Sequence, residues 1–239
     1  MCKLKSAIIL KDRIFMPDYD SHSKMLEELK ITDDYFNASK VFVRAELSPK
    51  NGDVFSDIDG WQFCVDQDIT PEWFHEKDCA ERMRKAVKEW AKTHIFIGQN
   101  EPKISHGENI FIKDCKNVDI CGDATVENIR DNTTVKNIRG DATVENIYGK
   151  ATVESIFGDV TVKNIYDNAT VEDIFGDATV GYIYGNATVE NIYDNATVIS
   201  SPYTKWSNSA SLIISDNATF KDCYSKTIYQ AGGWKFVNI

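Results

Sequence analysis

Four aspartates that recur at one fixed interval are the most regularly spaced carboxylates of this chain: Asp123, Asp141, Asp159 and Asp177. Carboxylates in such a series can trap cations between stacked layers, as in calcium-binding β-rolls, but the G-G-x-G-x-D segment of those proteins is missing here. Short acidic side chains also accept hydrogen bonds from backbone N–H groups in their own turns. The spacing leaves both roles open and favours turn capping.

Two rows of aromatic side chains share the spacing of these aspartates. One row is Tyr148, Tyr166 and Tyr184, and the other is Phe157, Phe175 and Tyr193. Such rows can form a binding stripe or a stack of rings that stabilises neighbouring strands, and both roles stay open. Threonines also recur, but in one rank per face. Ice-binding arrays usually need two ranks, so packing of the threonine methyl groups is favoured over ice binding.

The motifs of known enzyme classes are missing from the sequence, which contains neither H-E-x-x-H, a phosphate-binding loop nor G-x-S-x-G. Asp57-Ile58-Asp59 resembles a D-x-D metal motif, but a turn is favoured in so acidic a chain. The segment Asp18–His22 could hold an acid–base pair, although helix capping by Asp20 or Ser21 is favoured. We therefore predict no catalytic residue, no metal site and no cofactor; a non-enzymatic role is favoured, and an enzymatic activity of the N-terminal domain stays open.

The aspartates and aromatics belong to a nine-residue repeat that starts at Gly122. Its units read GDATVENIR, DNTTVKNIR, GDATVENIY, GKATVESIF, GDVTVKNIY, DNATVEDIF, GDATVGYIY, GNATVENIY and DNATVISSP. Valine occupies the fifth position of all nine units, and isoleucine the eighth position of the first eight. A fixed period over this length indicates a repeat architecture.

A β-solenoid fits this period better than a helix. Nine residues make about 2.5 helical turns, so alternate units of a helix would face opposite sides. The Thr-Val pair favours strands, and the Gly-Asp or Asp-Asn pair favours turns. Because side chains alternate along a strand, Ala124 and Val126 are predicted to point inward and Thr125 outward. A bend near Glu127 would then let Ile129 point inward as well.

Alternate units resemble each other, and this sets the number of units per coil. Odd-numbered units mostly carry Asp in the second position, whereas even-numbered units carry Asn or Lys. If each unit stacks on the unit two positions further along the chain, identical or similar residues lie above one another. We therefore predict a two-sided parallel β-solenoid of two nine-residue units per coil, about 18 residues, with neighbouring coils about 4.8 Å apart.

The rest of the chain is predicted to flank this repeat, which covers residues 122–201. Alternating apolar residues predict entry coils within residues 101–121. Residues 202–239 contain one further unit, Asp216–Cys223, and a hairpin-like cap for the open sheet edge. Residues 1–100 are predicted to form an α+β domain that caps the first coil. Its strands are expected near residues 6–10, 13–16, 41–47 and 61–65, with one helix through Leu29 and another from Pro71 to Thr93.

Three segments of this N-terminal domain carry a resemblance, together with the ATV-x-x-I repeats: Phe15–His22, Gly52–Asp59 and Lys88–Ala91. Over most of its length the chain resembles a group of uncharacterised phage and gut-bacterial proteins. The resemblance implies a phage or prophage origin and transfers no functional residues.

The charge of the chain is concentrated in the repeat. The formal charge is −10 and the pI is near 4.9. Residues 122–201 contain 13 acidic and five basic side chains, a net charge of −8. An acidic surface does not attract a phosphate backbone, so we expect no direct contact with nucleic acid. It suits a protein partner with a basic surface, although a merely solvated charged face has the same composition.

Compartment is inferred from the N-terminus and the cysteines. The apolar run Ala7–Leu10 is too short for a signal peptide or a membrane span, and six dispersed cysteines are expected to stay reduced. We expect a cytoplasmic protein without a membrane partner, in the host cell if it is phage-encoded.

The leading functional hypothesis is a binding protein that presents an acidic solenoid, with nucleic-acid mimicry against a basic host factor as its specific form. A structural module that forms homo-oligomers is the alternative, and an enzymatic activity of the N-terminal domain is the third.

Overall fold

The described part of the chain comprises residues 5–200, 213–214, 219–222 and 227–230 of a computed structural model. It divides into two units after Ile95. The first unit contains β1 (Lys5–Leu10), β2 (Ile14–Phe15), α1 (His22–Glu28), α2 (Tyr35–Ala38), β3 (Phe42–Ser48), β4 (Gln62–Val65) and α3 (Glu76–His94), with 3₁₀ turns at Lys50–Gly52 and Ile58–Gly60.

The strands of the first unit form an antiparallel sheet in the order β2-β1-β3-β4. One face packs on α3, where Ile9 and Met83 share a buried cluster. The other face packs on α1 and α2, where Ile8 and Met25 share a second cluster. Because both faces are covered, β1 is buried along its whole length. The expected α+β fold and its buried first strand are confirmed.

The helices of this unit differ in part from the prediction. The Ser21 side chain caps α1 by accepting a hydrogen bond from the Lys24 N–H (3.4 Å), as expected. The second long helix begins at Glu76 rather than near Pro71, because Pro71 starts a turn whose carbonyl accepts from the Phe74 N–H (2.9 Å). Helix α2 was not expected, since four residues are too short to show a helical period.

The second unit is a parallel β-solenoid. Its strands are β5 (Ile95–Ile97), β6 (Lys103–Ile104), β7 (Ile110–Lys113), β8 (Val118–Ile120), β9 (Thr125–Arg130), β10 (Thr134–Gly140), β11 (Thr143–Ile147), β12 (Thr152–Gly158), β13 (Thr161–Ile165), β14 (Thr170–Phe175), β15 (Thr179–Ile183), β16 (Thr188–Ile192), β17 (Thr197–Ser200), β18 (Ile213–Ile214), β19 (Thr219–Asp222) and β20 (Thr227–Gln230). Strands β5 to β19 alternate between two sheets, which we call the odd sheet and the even sheet.

Each nine-residue unit contributes one strand, and units two apart are paired. In the odd sheet, Val126 pairs with Val144 and Val144 with Val162; the even sheet pairs its valines in the same way. One coil therefore contains two units of the repeat, as their alternation predicted.

The interior of the solenoid is filled by the repeated apolar residues. Every valine of the fifth position and every isoleucine of the eighth position is at most 3% exposed. The third position, mostly alanine, is buried as well, whereas Thr125 lies at the surface. Each buried Val or Ile contributes about 1.5–3 kcal/mol of transfer free energy, so the stacked column supplies the core that a single unit lacks.

The corners explain why every unit starts with Gly or Asp. The first residue of all nine units has a positive φ, for example 64° at Gly122 and 62° at Asp167. This left-handed conformation costs most L-residues about 1–2 kcal/mol, whereas Gly adopts it freely and Asp compensates through local hydrogen bonds.

The ends of the solenoid extend beyond the repeat. Strands β5 to β8 already belong to the two sheets, so the expected entry coils are present. At the other end, β19 stacks in parallel on β17, and β20 pairs antiparallel with β19. Strand β19 fits the predicted further unit. The predicted hairpin-like cap was expected to join Thr227–Tyr229 to Gly232–Phe236, but β20 pairs with β19 instead. Gly232–Phe236 lies outside the described residues.

Candidate functional site

The predicted aspartates do form a column along one corner of the solenoid, which we call the Asp column (Asp123, Asp141, Asp159 and Asp177). The Asp141 N–H donates to the Gly122 carbonyl (2.9 Å), and Gly140 pairs with Gly158, so each aspartate lies above the previous one. All four residues are exposed.

The hydrogen bonds of the Asp column differ from the expectation. Within the described residues, no backbone N–H of their own corners donates to these carboxylates, and Asp177 instead accepts from the Asn195 side chain (2.9 Å). Aspartates at the first position of a unit accept hydrogen bonds from backbone N–H groups instead. Asp167 accepts from the Gly149 N–H (3.3 Å) and Asp194 from the Gly176 N–H (3.0 Å). The left-handed first residue directs its carboxylate at the coil below, whereas the second-position carboxylate points to solvent.

Cation binding by the Asp column is not favoured by its geometry. A metal needs several ligand atoms close together, but the coils that carry neighbouring aspartates of the column lie about 4.8 Å apart. In residues 5–200 and the shorter described segments, one group of three His, Cys, Asp or Glu side chains lies within 4.8 Å, and it belongs to the first unit.

A second acidic column, which the sequence analysis missed, runs along the outer face of the even sheet. The pairing of Val153 with Val171 and Val171 with Val189 places Glu154, Glu172 and Glu190 above one another. All three are exposed. We call these three residues the Glu column. The stacking of alternate units, applied to the sixth position of each unit, would have found it.

The odd sheet has a different charge pattern at the same position. There Glu127, Glu145 and Lys163 follow one another, and Lys163 forms an ion pair with Glu145 (2.5 Å). Burial, together with the charge of Glu145, raises the pKa of Glu127. The odd sheet is therefore partly neutralised, and the rows of stacked exposed acids are the Asp column and the Glu column.

The aromatic rows form stacks in the solenoid. The rings of Tyr148 and Tyr166 are 4.9 Å apart and nearly parallel (3°), and those of Phe157 and Phe175 have the same separation at 5°. This separation equals the strand spacing, so the backbone sets the stack. Burial raises the pKa of Tyr166. Tyr184 tilts toward Tyr182 instead (47°), and Tyr193 is half-buried. The geometry fits stabilisation of the ladder; a binding role stays a prediction.

The corner opposite the Asp column contains an open groove of about 720 Å³. Its walls come from the first two positions of the even-numbered units and include Asp131, Lys150 and Asp167. Acids, a base and amides alternate along it, so this corner lacks the uniform charge of the Asp column.

The other motifs of the sequence have structural roles. The Asp57 side chain accepts from the Asp59 N–H (3.1 Å) and caps a 3₁₀ turn, as expected of a turn. In the segment Asp18–His22, Asp18 lies 3.3 Å from His94 Nε2, whereas His22 Nδ1 lies 3.2 Å from Asp66. Cys64, Cys79, Cys115 and Cys121 are free thiols.

Comparison with protein-family models, with curated proteins and with solved structures found no match. Among the described helices, none is long and apolar enough to cross a membrane.

Proposed function

We propose that this protein is a non-enzymatic binding protein whose solenoid presents two columns of carboxylates to a protein partner with a basic surface. The observation that carries the proposal is the stacking of identical exposed acids in register: Asp on Asp along one corner and Glu on Glu along the even sheet.

Electrostatics favours a partner over a purely solvated face. Like charges about 4 Å apart repel by about 1 kcal/mol even in bulk water. Stacked acids therefore oppose folding slightly, and a row of Lys or Arg from a partner relieves this repulsion. Complementary charge also raises the association rate, which is the usual advantage of such surfaces.

The spacing supports a partner that normally binds nucleic acid. Two columns with one carboxylate every ~4.8 Å each give roughly one charge per 2.4 Å of rod. Duplex DNA has about one charge per 1.7 Å, so the two densities are comparable. On this proposal the protein occupies the basic groove of a nucleic-acid-binding factor, in the host cytoplasm if the resemblance to phage proteins reflects its origin.

The test is a binding comparison between two variants with the same change in charge. In the column variant, Asp123, Asp141, Asp159 and Asp177 become Asn. In the control variant, four exposed acids of the first unit become Asn or Gln: Asp12, Glu27, Glu72 and Glu81. The partner is captured from lysate with the wild-type protein, identified and titrated at two salt concentrations.

We expect the column variant to bind the captured partner at least tenfold more weakly, with a smaller salt dependence, and the control variant to bind like wild type. The wild-type protein should also displace nucleic acid from the partner. Capture of no basic protein, or equal losses in both variants, would contradict the proposal.

A further inference from the structure

Three potential metal ligands of the first unit meet where one sheet face changes from apolar to polar. Ile8 and Phe42 pack against α1 on this face, and Glu46 of β3 follows at its polar end. His22 begins α1 above this end, and Asp66 follows β4 directly. The ligand atoms of His22, Glu46 and Asp66 all lie within 4.8 Å of one another.

The backbone fixes the orientation of the His22 ring. Its side chain is only 10% exposed, and Nε2 lies 3.3 Å from the Ala45 carbonyl oxygen. A carbonyl can only accept, so Nε2 carries a hydrogen. In the neutral ring, the lone pair of Nδ1 then points at the carboxylate of Asp66, whose Oδ2 is 3.2 Å away. Two acceptors in this position need a proton or a metal ion between them.

The distance between His22 Nδ1 and Asp66 Oδ2 suits two ligands of one metal ion. Zinc binds His nitrogen and carboxylate oxygen at about 2.0–2.2 Å, so two ligands of one tetrahedral ion are separated by about 3.3–3.6 Å. A hydrogen bond from a histidine to a backbone carbonyl is also the usual way in which a metal-binding histidine is oriented. The contact between Nε2 and Ala45 provides this support.

The backbone of Asp66 is held in place, whereas its side chain faces solvent. The Asp66 N–H donates to the Arg44 carbonyl (2.9 Å), which holds the segment after β4 against β3. The Asp66 side chain is 63% exposed and borders an open groove of about 650 Å³. Three protein ligands with a solvent-facing side are typical of sites that keep one coordination position for water.

We propose that His22, Glu46 and Asp66 bind a divalent first-row metal ion, with zinc as the ion that best matches the one-nitrogen, two-carboxylate ligand set. All three residues belong to the first unit, so the site requires neither the solenoid nor the partner proposed above.

The test is a titration of the full-length, chelator-treated protein with Zn²⁺ by calorimetry, with Mn²⁺ and Mg²⁺ in parallel. All proteins carry Cys64→Ser, because Cys64 is an exposed thiol that pairs with Glu46 in the sheet. Asp66→Asn removes a ligand at an exposed position, and Glu46→Gln removes the half-buried one. Asp68→Asn, two residues away and exposed, makes the same charge change outside the group.

We expect one Zn²⁺ per chain, a loss of affinity of at least tenfold in Asp66→Asn and Glu46→Gln, and no loss in Asp68→Asn. Cobalt substitution should give the visible absorption of a tetrahedral site, and circular dichroism checks that each variant is folded. Absence of zinc uptake by the folded parent, equal affinity in Asp66→Asn, or equal losses in all variants would overturn the proposal. So would a doubly protonated His22 ring that persists in excess Zn²⁺.

Discussion

At the residue scale, His94 shows how burial controls a titratable group. It ends α3, is 8% exposed and stacks on Trp90 with ring centroids 4.5 Å apart. Its Nδ1 lies 2.8 Å from the Trp90 carbonyl oxygen and its Nε2 3.3 Å from Asp18. Burial lowers the pKa of His94 below its ordinary value, and the contacts with Trp90 and Asp18 only partly oppose this effect.

This burial predicts a loss of stability on mild acidification. Because the pKa of His94 is lower in the folded state, the unfolded chain binds more protons between that pKa and about 6.5. The free energy of unfolding therefore falls as the pH falls through this range, by up to about 1.4 kcal/mol per pH unit. Melting of the first unit from pH 7.5 to 5.5, followed by Trp fluorescence, measures it. His94→Asn should flatten the dependence and exposed His106→Asn should retain it; the reverse would contradict the assignment.

At the element scale, the strands of the solenoid depend on one another. Strand β13 pairs with β11 below and β15 above, and Val162 packs at its centre with no exposed surface. The aromatic stacks and the amide contacts, such as that from the Asn164 side chain to Asn146 (3.2 Å), repeat with the same spacing. A defect in one strand therefore removes packing from both neighbouring coils.

A charge placed in this column should unfold several coils together. We expect Val162→Asp to lower the stability of the solenoid by about 3–5 kcal/mol, because an unpaired buried carboxylate has no compensating partner. Hydrogen exchange should show lost protection in β11 and β15 as well as β13. The control Thr179→Asp adds the same group at an exposed position of the same sheet and should change stability by less than about 1 kcal/mol. An unchanged melting curve for Val162→Asp would contradict the buried column.

At the scale of the whole molecule, the uneven distribution of charge separates the two general hypotheses. Residues 122–201 carry −8 of the −10 formal charge, and the Asp column and Glu column place much of it in rows on the surface. Rods with such rows repel each other at moderate salt. The binding hypothesis therefore expects separate chains, whereas an assembly module needs attraction between them.

Light scattering at rising concentration distinguishes these hypotheses. We expect the mass to stay at 27.1 kDa, that of one chain, at about 0.1 M salt, where the Debye length is about 10 Å. The column variant, which has lost four charges from its surface, is the matched comparison. A mass that increases with concentration in the wild-type protein would favour assembly over the proposed function.

The repeat itself determined most of the solenoid. The repeated valines and isoleucines specify the strands and their inward faces. The alternation of Asp with Asn or Lys specifies two units per coil. Both can be read from the sequence because each coil of a stacked fold has the same conformation at equivalent positions. The same logic correctly brought Tyr148 onto Tyr166 and Phe157 onto Phe175. It could also have found Glu154, Glu172 and Glu190.

The tertiary structure alone decided what the individual polar groups contact. Only the left-handed corner shows that Asp167, rather than Asp159, caps a backbone N–H. His22, Glu46 and Asp66 lie far apart along the chain in a region without a repeat, so no local pattern relates them. Antiparallel pairing and the entry of α1 bring them together. Periodic side chains can be placed from their spacing, whereas contacts between distant, non-repeating residues depend on how the whole chain folds.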